Sequence, residues 1–204
     1  MRYRKFSSTL ILCISLLFGS CSIPFPGSDE VILLGLVGKM RYVFVTTATY
    51  DGALGGIGGA DAKCAASKAT DAPTLPGIGI EYAALIQGPG RVPGGFGWPL
   101  LGNTKYYTNT PATNTLVFHT SGAATPVFPM DSGSGIPGSG TYWTGMDGTL
   151  SSTGGGNCAG WTSGLFTDPS GGDYGVTGDP TIGAFNQGFS NTCDTTLNLL
   201  CVRN

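Results

Sequence analysis

Charged residues are scarce in this chain, where they make up 11% of 204 residues, and there is a single histidine. Solvent-facing helices need many Glu, Lys and Arg side chains, so this composition is not typical of a helical protein. Turn formers are abundant instead, with 35 Gly and 13 Pro. The hydrophobic content of 41% is too high for a disordered chain. We therefore expect a folded core that carries long loops.

Clusters of basic residues are also lacking. Three of the ten basic residues precede Cys21, so the seven that follow face all twelve acidic residues, and the net charge of that part is about −5. No two of these seven are adjacent in the sequence. Binding to a polyphosphate depends on clustered Lys and Arg, which release its counterions. We expect neither nucleic acid nor a heparin-like polyanion as a partner.

The residues of common hydrolytic sites are few. A Ser-His-Asp or Cys-His pair would need His119, which ends an apparent strand at residues 116–120, where a lone histidine is more often structural. Glycoside hydrolysis needs two carboxyl groups held a few ångströms apart. The only glutamates are Glu30 and Glu81, and Glu30 lies near the N-terminus. We expect no enzymatic activity, no catalytic residue and no cofactor.

The N-terminus has the pattern of an exported lipoprotein. Three basic residues in the first five precede an apolar run at residues 10–18, and Gly19-Ser20-Cys21 follows. This is the order of regions in a secretory signal, and the run is shorter than the about 20 residues of a membrane-spanning helix. Cys21 resembles the lipobox cysteine of bacterial lipoproteins, although Phe18 stands where Leu is common. We expect export, acylation of Cys21 and anchoring in the outer membrane through lipid; an ordinary signal peptide is the alternative.

This pattern divides the chain into three parts. They are a lipoprotein signal peptide at residues 1–20, a tether and flank at 21–40, and a domain at 41–204. The flank contains an apolar run at 31–38. It could form a buried strand, lie next to the membrane or pair with a partner, and we favour a strand or ordered flank. Residues 41–47 alternate large apolar with other side chains and predict a strand.

One helix is predicted, over residues 60–69, after a glycine-rich approach at 55–59. Alanine is the strongest helix former, and Asp61 in the first turn and Lys68 near the last would complement the macrodipole. A glycine-rich loop that opens a helix can also bind phosphate. The lysine and hydroxyl of a Walker motif are missing here, so we interpret the loop as structural.

Four cysteines follow Cys21, and they permit three pairings. They are Cys64, Cys158, Cys193 and Cys201. Alternation at Leu197, Leu199 and Cys201 predicts a C-terminal strand. A strand beside the helix would bring Cys201 to Cys64 and leave Cys158 for Cys193. Free buried thiols are the alternative.

Several short motifs together resemble a known family. In chain order they are Gly-Gly-Ala-Asp-Ala-Lys-Cys at 58–64, the apolar run at 82–86, Tyr-Trp-Thr-Gly at 142–145, Asn-Cys-Ala-Gly-Trp-Thr at 157–162 and Leu-Cys-Val at 200–202. They look like an uncharacterised domain family recurrent in Leptospira lipoproteins and resemble the endostatin branch of the C-type lectin-like fold. The resemblance covers about residues 41–204. It implies an α+β domain with one clear helix, short strands, long loops and two nested disulfides, Cys64 with Cys201 and Cys158 with Cys193.

The ligand chemistry of these families is not implied. Sugar-binding C-type lectins hold calcium through Glu-Pro-Asn or Gln-Pro-Asp and a Trp-Asn-Asp element, and none of these occurs here. Endostatin binds zinc through several histidines and heparin through arginines, whereas this chain has one histidine and few arginines. Asp168, Asp173 and Asp179 could supply oxygens to calcium, but they fit no recognised spacing. We expect no metal.

The segment at residues 164–191 is the predicted binding surface. It is rich in Gly, Asp and Pro, which favours a loop without regular structure, and the proposed Cys158–Cys193 bridge would hold both of its ends. Loops of this length are usually functional or disordered. The candidate ligand-binding residues are Phe166, Asp168, Asp173, Tyr174 and Asp179. Tyr174, between Asp173 and Gly175, is expected to be exposed, whereas Phe185 and Phe189 could equally cover the sheet.

These features predict a lipid-anchored module of the cell envelope or surface that binds a host or envelope protein or a glycan, in the manner of an adhesin. A structural or self-associating envelope lipoprotein is the alternative. A hydrolase ranks behind both, because the nucleophile and base pairs are missing.

Overall fold

The computed structural model describes residues 40–110, 113–150 and 156–204. The predicted signal peptide, Cys21 and the apolar run at 31–38 lie outside the described residues. Met40–Asn204 form one unit of the chain. Within the described ranges, no helix has both the length and the apolar character to cross a membrane.

The described residues form one long helix and a largely β-sheet body, so the predicted α+β class is confirmed. The helix is α1 (Gly56–Asp71). The strands are β1 (Arg41–Val45), β2 (Tyr82–Ala84), β3 (Lys105–Thr110), β4 (Thr113–His119), β5 (Thr141–Trp143), β6 (Gly172–Val176), β7 (Ser190–Asn191) and β8 (Asn198–Arg203). Two 3-10 turns, Gly79–Glu81 and Ile182–Ala184, and a helical turn, Cys158–Trp161, join them.

Strand β8 is the centre of the sheet. The strands follow the order β4-β3-β1-β8-β5-β6-β7, and β2 also pairs with β8. β1 runs antiparallel to β8 with Phe44 opposite Cys201, and β5 runs parallel to it with Trp143 opposite Leu199. The C-terminal strand therefore contacts three other strands, and its loss would separate the two halves of the sheet.

The alternation predicted for the C-terminal strand is present, but both faces of β8 are buried. Leu199 and Cys201 join one core with Trp143 and Trp161. Leu200 and Val202 join a second core on the opposite face, because successive side chains of a strand alternate in direction. The two indole nitrogens are satisfied by backbone oxygens, with Nε1 of Trp143 donating to Tyr50 and Nε1 of Trp161 to Gln87.

Helix α1 begins four residues earlier than predicted. The expected glycine-rich approach forms its first turn, so Asp61 does not lie in the first turn. The low helix propensity of glycine favoured a loop at 55–59, but the helix forms there all the same. Glycine is required at position 59, since a Cβ there would lie 2.2 Å from the carbonyl oxygen of Leu54. Asp61 instead forms a bidentate ion pair with Arg91 (2.6 and 2.8 Å).

Two nested disulfides close the domain, with the pairing that the resemblance implies. Cys64 on α1 is bonded to Cys201 on β8, and Cys158 is bonded to Cys193. The helical turn Cys158–Trp161 is left-handed in φ at all four residues, with φ between 46° and 72°. Each non-glycine residue in that region costs about 1–2 kcal/mol, so we attribute the turn to the bridge and to the buried Trp161 ring.

Candidate functional site

The predicted binding loop at 164–191 is not irregular. It contains β6, the 3-10 turn Ile182–Ala184 and β7. Glycine in this segment indicated turns, but Gly175 lies in a strand where a Cβ would be 1.9 Å from the carbonyl oxygen of Ala184. Glycine is needed there for close packing of the backbone. The expectation of a structureless loop is therefore wrong, although the bridge does hold the segment near both ends.

Tyr174 was expected to be exposed, and it is buried instead. It is 9% exposed in β6, opposite Trp143 of β5. Its ring packs against Phe189 with the centroids 5.8 Å apart. Phe185 is fully buried, whereas Phe189 is 64% exposed. Strand pairing buries Tyr174, so Phe189 is the accessible ring of this packed pair.

The candidate aspartates do not converge on one site. Asp173 is buried and accepts hydrogen bonds from the Ser190 hydroxyl and from the Gly156 amide (3.0 Å). Asp168 accepts from Ser170, and these hydrogen bonds lower the pKa of its carboxyl. Asp179 accepts from Thr181, with the same effect on its pKa. In the part of the chain that is described, no group of three His, Cys, Asp or Glu side chains could hold a metal ion.

Phe166 and His119 lie apart from these groups. Phe166 is exposed beside Leu165 on the surface of the domain. His119 ends β4, as the sequence predicts, and its Nδ1 lies 2.8 Å from a carboxylate oxygen of Asp131. Neither residue belongs to the grooves described next.

Phe189 and Asp173 share a groove of 430 Å³, here named the Phe189 groove. Its principal residues are Asp147, Gly156, Asp173, Asn186, Phe189 and Ser190. The Asn186 side chain is held by a hydrogen bond from the Gly188 amide (2.8 Å) and by its own donation to Met146. Asp147 accepts from the backbone amide and hydroxyl of Thr149. The groove thus presents oxygen acceptors in fixed positions beside an exposed ring.

A second groove of 480 Å³ lies between the end of β1 and the end of α1; we name it the Asp71 groove. Its principal polar residues are Thr46, Thr47, Asp71, Thr108, Ser139 and Asn198. Sequence reasoning missed it, together with Asp147 and Asn186. These residues come from distant segments, and no spacing in the sequence connects them.

A family model described as "Protein of unknown function (DUF1554)" matches residues 47–181, which is more than half of the chain. The chain belongs to the DUF1554 family. A comparison with curated proteins found no match.

The DUF1554 match ends before both disulfides are complete. Cys64 and Cys158 lie within the matched residues, whereas their partners Cys201 and Cys193 lie beyond them. Asp71 and Asp173 are also within the match, and Phe189 is outside it. Residues beyond the match therefore complete both disulfides, and they also contribute to the lining of both grooves.

Proposed function

We propose that this protein is a lipid-anchored cell-envelope module that binds a protein or a glycan through the Phe189 groove. One observation carries the proposal: an exposed Phe189 ring stands beside the acceptors Asp173 and Asn186, which the protein already holds in place. No catalytic step is part of the proposal.

Exposed aromatic side chains are common binding anchors, because they offer a large apolar area at a low cost in conformational entropy. Phe189 has this position, and its ring packs edge-on against the Tyr174 ring. Acceptors fixed by internal hydrogen bonds need little ordering when a ligand arrives, which lowers the cost of association. Each bonded carboxylate oxygen can still accept from a second donor.

The charge of the groove restricts the ligand. Among its described lining residues there are two carboxylates and no Lys, Arg or His. An anionic ligand would meet repulsion without a compensating cation. The ligand we propose therefore supplies hydrogen-bond donors and an apolar face that can cover Phe189, as a neutral glycan or a polar protein surface does.

The fold family and the cellular location belong to the same proposal. The order of the motifs and the nested disulfides support a C-type lectin-like, endostatin-like domain. The basic residues, apolar run and Cys21 at the N-terminus support acylation and an outer-membrane position. In this arrangement the domain is held at the membrane by lipid and presents the Phe189 groove to its ligand.

Self-association is the second candidate function. Exposed apolar side chains outside the Phe189 groove favour it, above all Phe96 at 98% and Ile80 at 82% exposure. A structural envelope lipoprotein could bury these side chains between copies. Sedimentation of the full chain in detergent distinguishes this candidate, which requires dimers or larger species.

The binding proposal is tested with the full chain in detergent against an array of neutral oligosaccharides and a panel of immobilised matrix and envelope proteins. For a probe that binds, Phe189→Ala should weaken affinity roughly thirtyfold, which corresponds to the loss of about 2 kcal/mol of an aromatic anchor. The melting temperature should change little, because the side chain is mostly exposed.

Phe96→Ala is the matched control, since Phe96 is also an exposed phenylalanine but lies outside the groove. Its affinity should equal that of the unaltered protein. Equal loss in both variants would show non-specific adsorption to aromatic rings. Oligomers that bind no probe would favour the structural role instead.

A further inference from the structure

The sheet opens between β1 and β3, and the Asp71 groove occupies the opening. These two strands run parallel and pair at Arg41 with Tyr106 and at Tyr42 with Tyr107. In the described register no further pairs follow, although β1 continues to Val45 and β3 to Thr110. Phe44 and Thr108 lie beyond the last pair in their strands, and both line the groove. The groove is therefore built into the sheet and has a volume usual for small-molecule sites.

Hydroxyl groups dominate its polar lining. Thr46, Thr47, Thr108 and Ser139 contribute hydroxyls, and Asn198 contributes an amide. Phe44 and Leu75 also line it, but both are more than nine-tenths buried, so the apolar surface that they offer is small. No Lys, Arg or His is found among its described lining residues. A hydroxyl can donate one hydrogen bond and accept others, so this lining complements a ligand with several hydroxyls of its own.

Asp71 supplies a fixed acceptor at the end of α1. The Thr47 amide donates to its Oδ2 at 3.0 Å, and the hydroxyls of Thr47 and Thr70 donate to its Oδ1 at 2.7 and 3.1 Å. Burial raises the pKa of this carboxyl, but the hydrogen bonds from Thr47 and Thr70 outweigh burial and lower the pKa overall. Asp71 is therefore ionised at neutral pH, and Oδ2 can accept a second donor.

Some polar side chains of the groove are already held by internal hydrogen bonds, and others are open to a ligand. The Asn198 amide donates to the Thr46 carbonyl oxygen at 2.7 Å. The Thr46 hydroxyl accepts from the Leu199 amide and donates to the carbonyl oxygen of Ala48, so its single proton is already used. By contrast, the hydroxyls of Thr108 and Ser139 make no side-chain hydrogen bond within the described residues. Thr108 and Ser139 can thus bind a ligand without breaking an internal side-chain hydrogen bond.

We propose that the Asp71 groove is a second binding site, and that it takes a neutral, polyhydroxylated ligand such as a hexose unit. The ligand hydroxyls donate to Asp71 Oδ2 and exchange hydrogen bonds with Ser139 and Thr108, and its C–H groups meet only the small accessible edges of Phe44 and Leu75. Phosphorylated or sulfated ligands do not fit, because the described lining offers no cation to them. A single carboxylate is also too little for a hard metal ion, which takes six or more oxygen ligands.

This site is independent of the proposed function, because the two grooves have no described lining residue in common. Gly138 and Ser139 of the Asp71 groove come before β5, whereas Asp147 and Gly148 of the Phe189 groove come after it. A substitution in one groove should therefore leave the other intact. The variants below use this separation.

The test is isothermal titration calorimetry of the full chain in detergent with glucose, galactose, mannose and their common disaccharides as probes. At least one neutral sugar should bind saturably, and its phosphorylated form should not. Asp71→Asn removes the charge that strengthens the ligand's hydrogen bond, and affinity should fall at least tenfold. Asp168→Asn is the matched control, since Asp168 also accepts from a neighbouring hydroxyl but lies outside both grooves.

A second variant tests the proposal even if Asp71→Asn fails to fold. Ser139 is exposed at the edge of the groove, so Ser139→Trp should fill the space, abolish sugar binding and leave the melting temperature unchanged. Phe189→Ala should bind the sugar as the unaltered chain does. The proposal is overturned if no neutral sugar binds, if Ser139→Trp still binds, or if only Phe189→Ala loses binding. Capture of extended peptides in place of sugars would overturn the ligand class.

Discussion

Glycine at position 175 is required by packing and not by a turn. Its φ lies outside the left-handed region, but the Cβ of any other residue would lie 1.9 Å from the carbonyl oxygen of Ala184. Gly145 combines both demands, with φ of 62° and a Cβ position 2.5 Å from the carbonyl oxygen of Gln87. Glycine is therefore needed in this protein for two reasons, which are turns and close packing of the backbone. Only the turns can be recognised from local sequence patterns.

Gly175→Ala should destabilise the domain by about 3 kcal/mol, because β6 and the turn Ile182–Ala184 must separate to admit the methyl group. Urea unfolding of the two proteins measures the difference. Gly58→Ala is the control: beyond its chain neighbours and the adjacent backbone of α1, nothing lies within 4 Å of its Cβ position, and alanine there should stabilise by roughly 0.5–1 kcal/mol. Equal stability of Gly175→Ala and the unaltered protein would contradict the packing of β6 against Ala184.

At the scale of elements, the two disulfides connect parts of the chain that short-range contacts cannot hold together. The outer bridge joins α1 to β8 across a sequence separation of 137 residues, and the inner one spans 35. Loop-closure entropy of the unfolded chain increases with this separation. The outer bridge should consequently contribute more stability, provided that neither is strained.

We predict that Cys64→Ala with Cys201→Ala lowers the free energy of unfolding by roughly 5 kcal/mol, and Cys158→Ala with Cys193→Ala by roughly 4 kcal/mol, in the chain-entropy treatment. Denaturant titration of the two double variants tests the order. Peptide mapping without reduction tests the pairing itself, and recovery of a Cys193–Cys201 peptide would rule out the nested arrangement.

At the scale of the whole molecule, the attachment to the envelope that we propose would depend on Cys21, which precedes the described residues. One fatty chain gives only marginal membrane binding, and two or more give stable anchoring. Lipoprotein acylation at Cys21 would supply two or three chains. The domain itself would then be held near the membrane by the short segment that leads to Met40.

Cys21→Ser should move the protein from the detergent phase to the aqueous phase in a detergent-partition assay of cells that express it. Cys13→Ser provides a matched control, because Cys13 lies inside the apolar run of the same signal and is not the predicted acylation site. Its product should stay in the detergent phase. Detergent-phase partitioning of the Cys21→Ser protein would show that the anchor lies elsewhere.

The sequence by itself determined the features that depend on local pattern. Alanine content predicted α1, alternation predicted β8, and the scarcity of charged residues indicated that the protein is not mainly helical. The order of the cysteine motifs implied the disulfide pairing that the structure shows. Each of these signals lies either in a few neighbouring residues or in the order of short motifs along the chain. Neither kind of signal requires knowledge of tertiary contacts.

Only the tertiary structure decided the exposure of single side chains and the position of the grooves. Tyr174 is buried because β5, about 30 residues earlier in the chain, pairs with β6 and covers it. Phe189 is 64% exposed, because the described segments cover much less of its side chain than of Tyr174. Asp71 and Asn198 meet in one groove only because β8 returns beside β1. Such contacts join residues that are far apart in the chain, and local propensity carries no information about them.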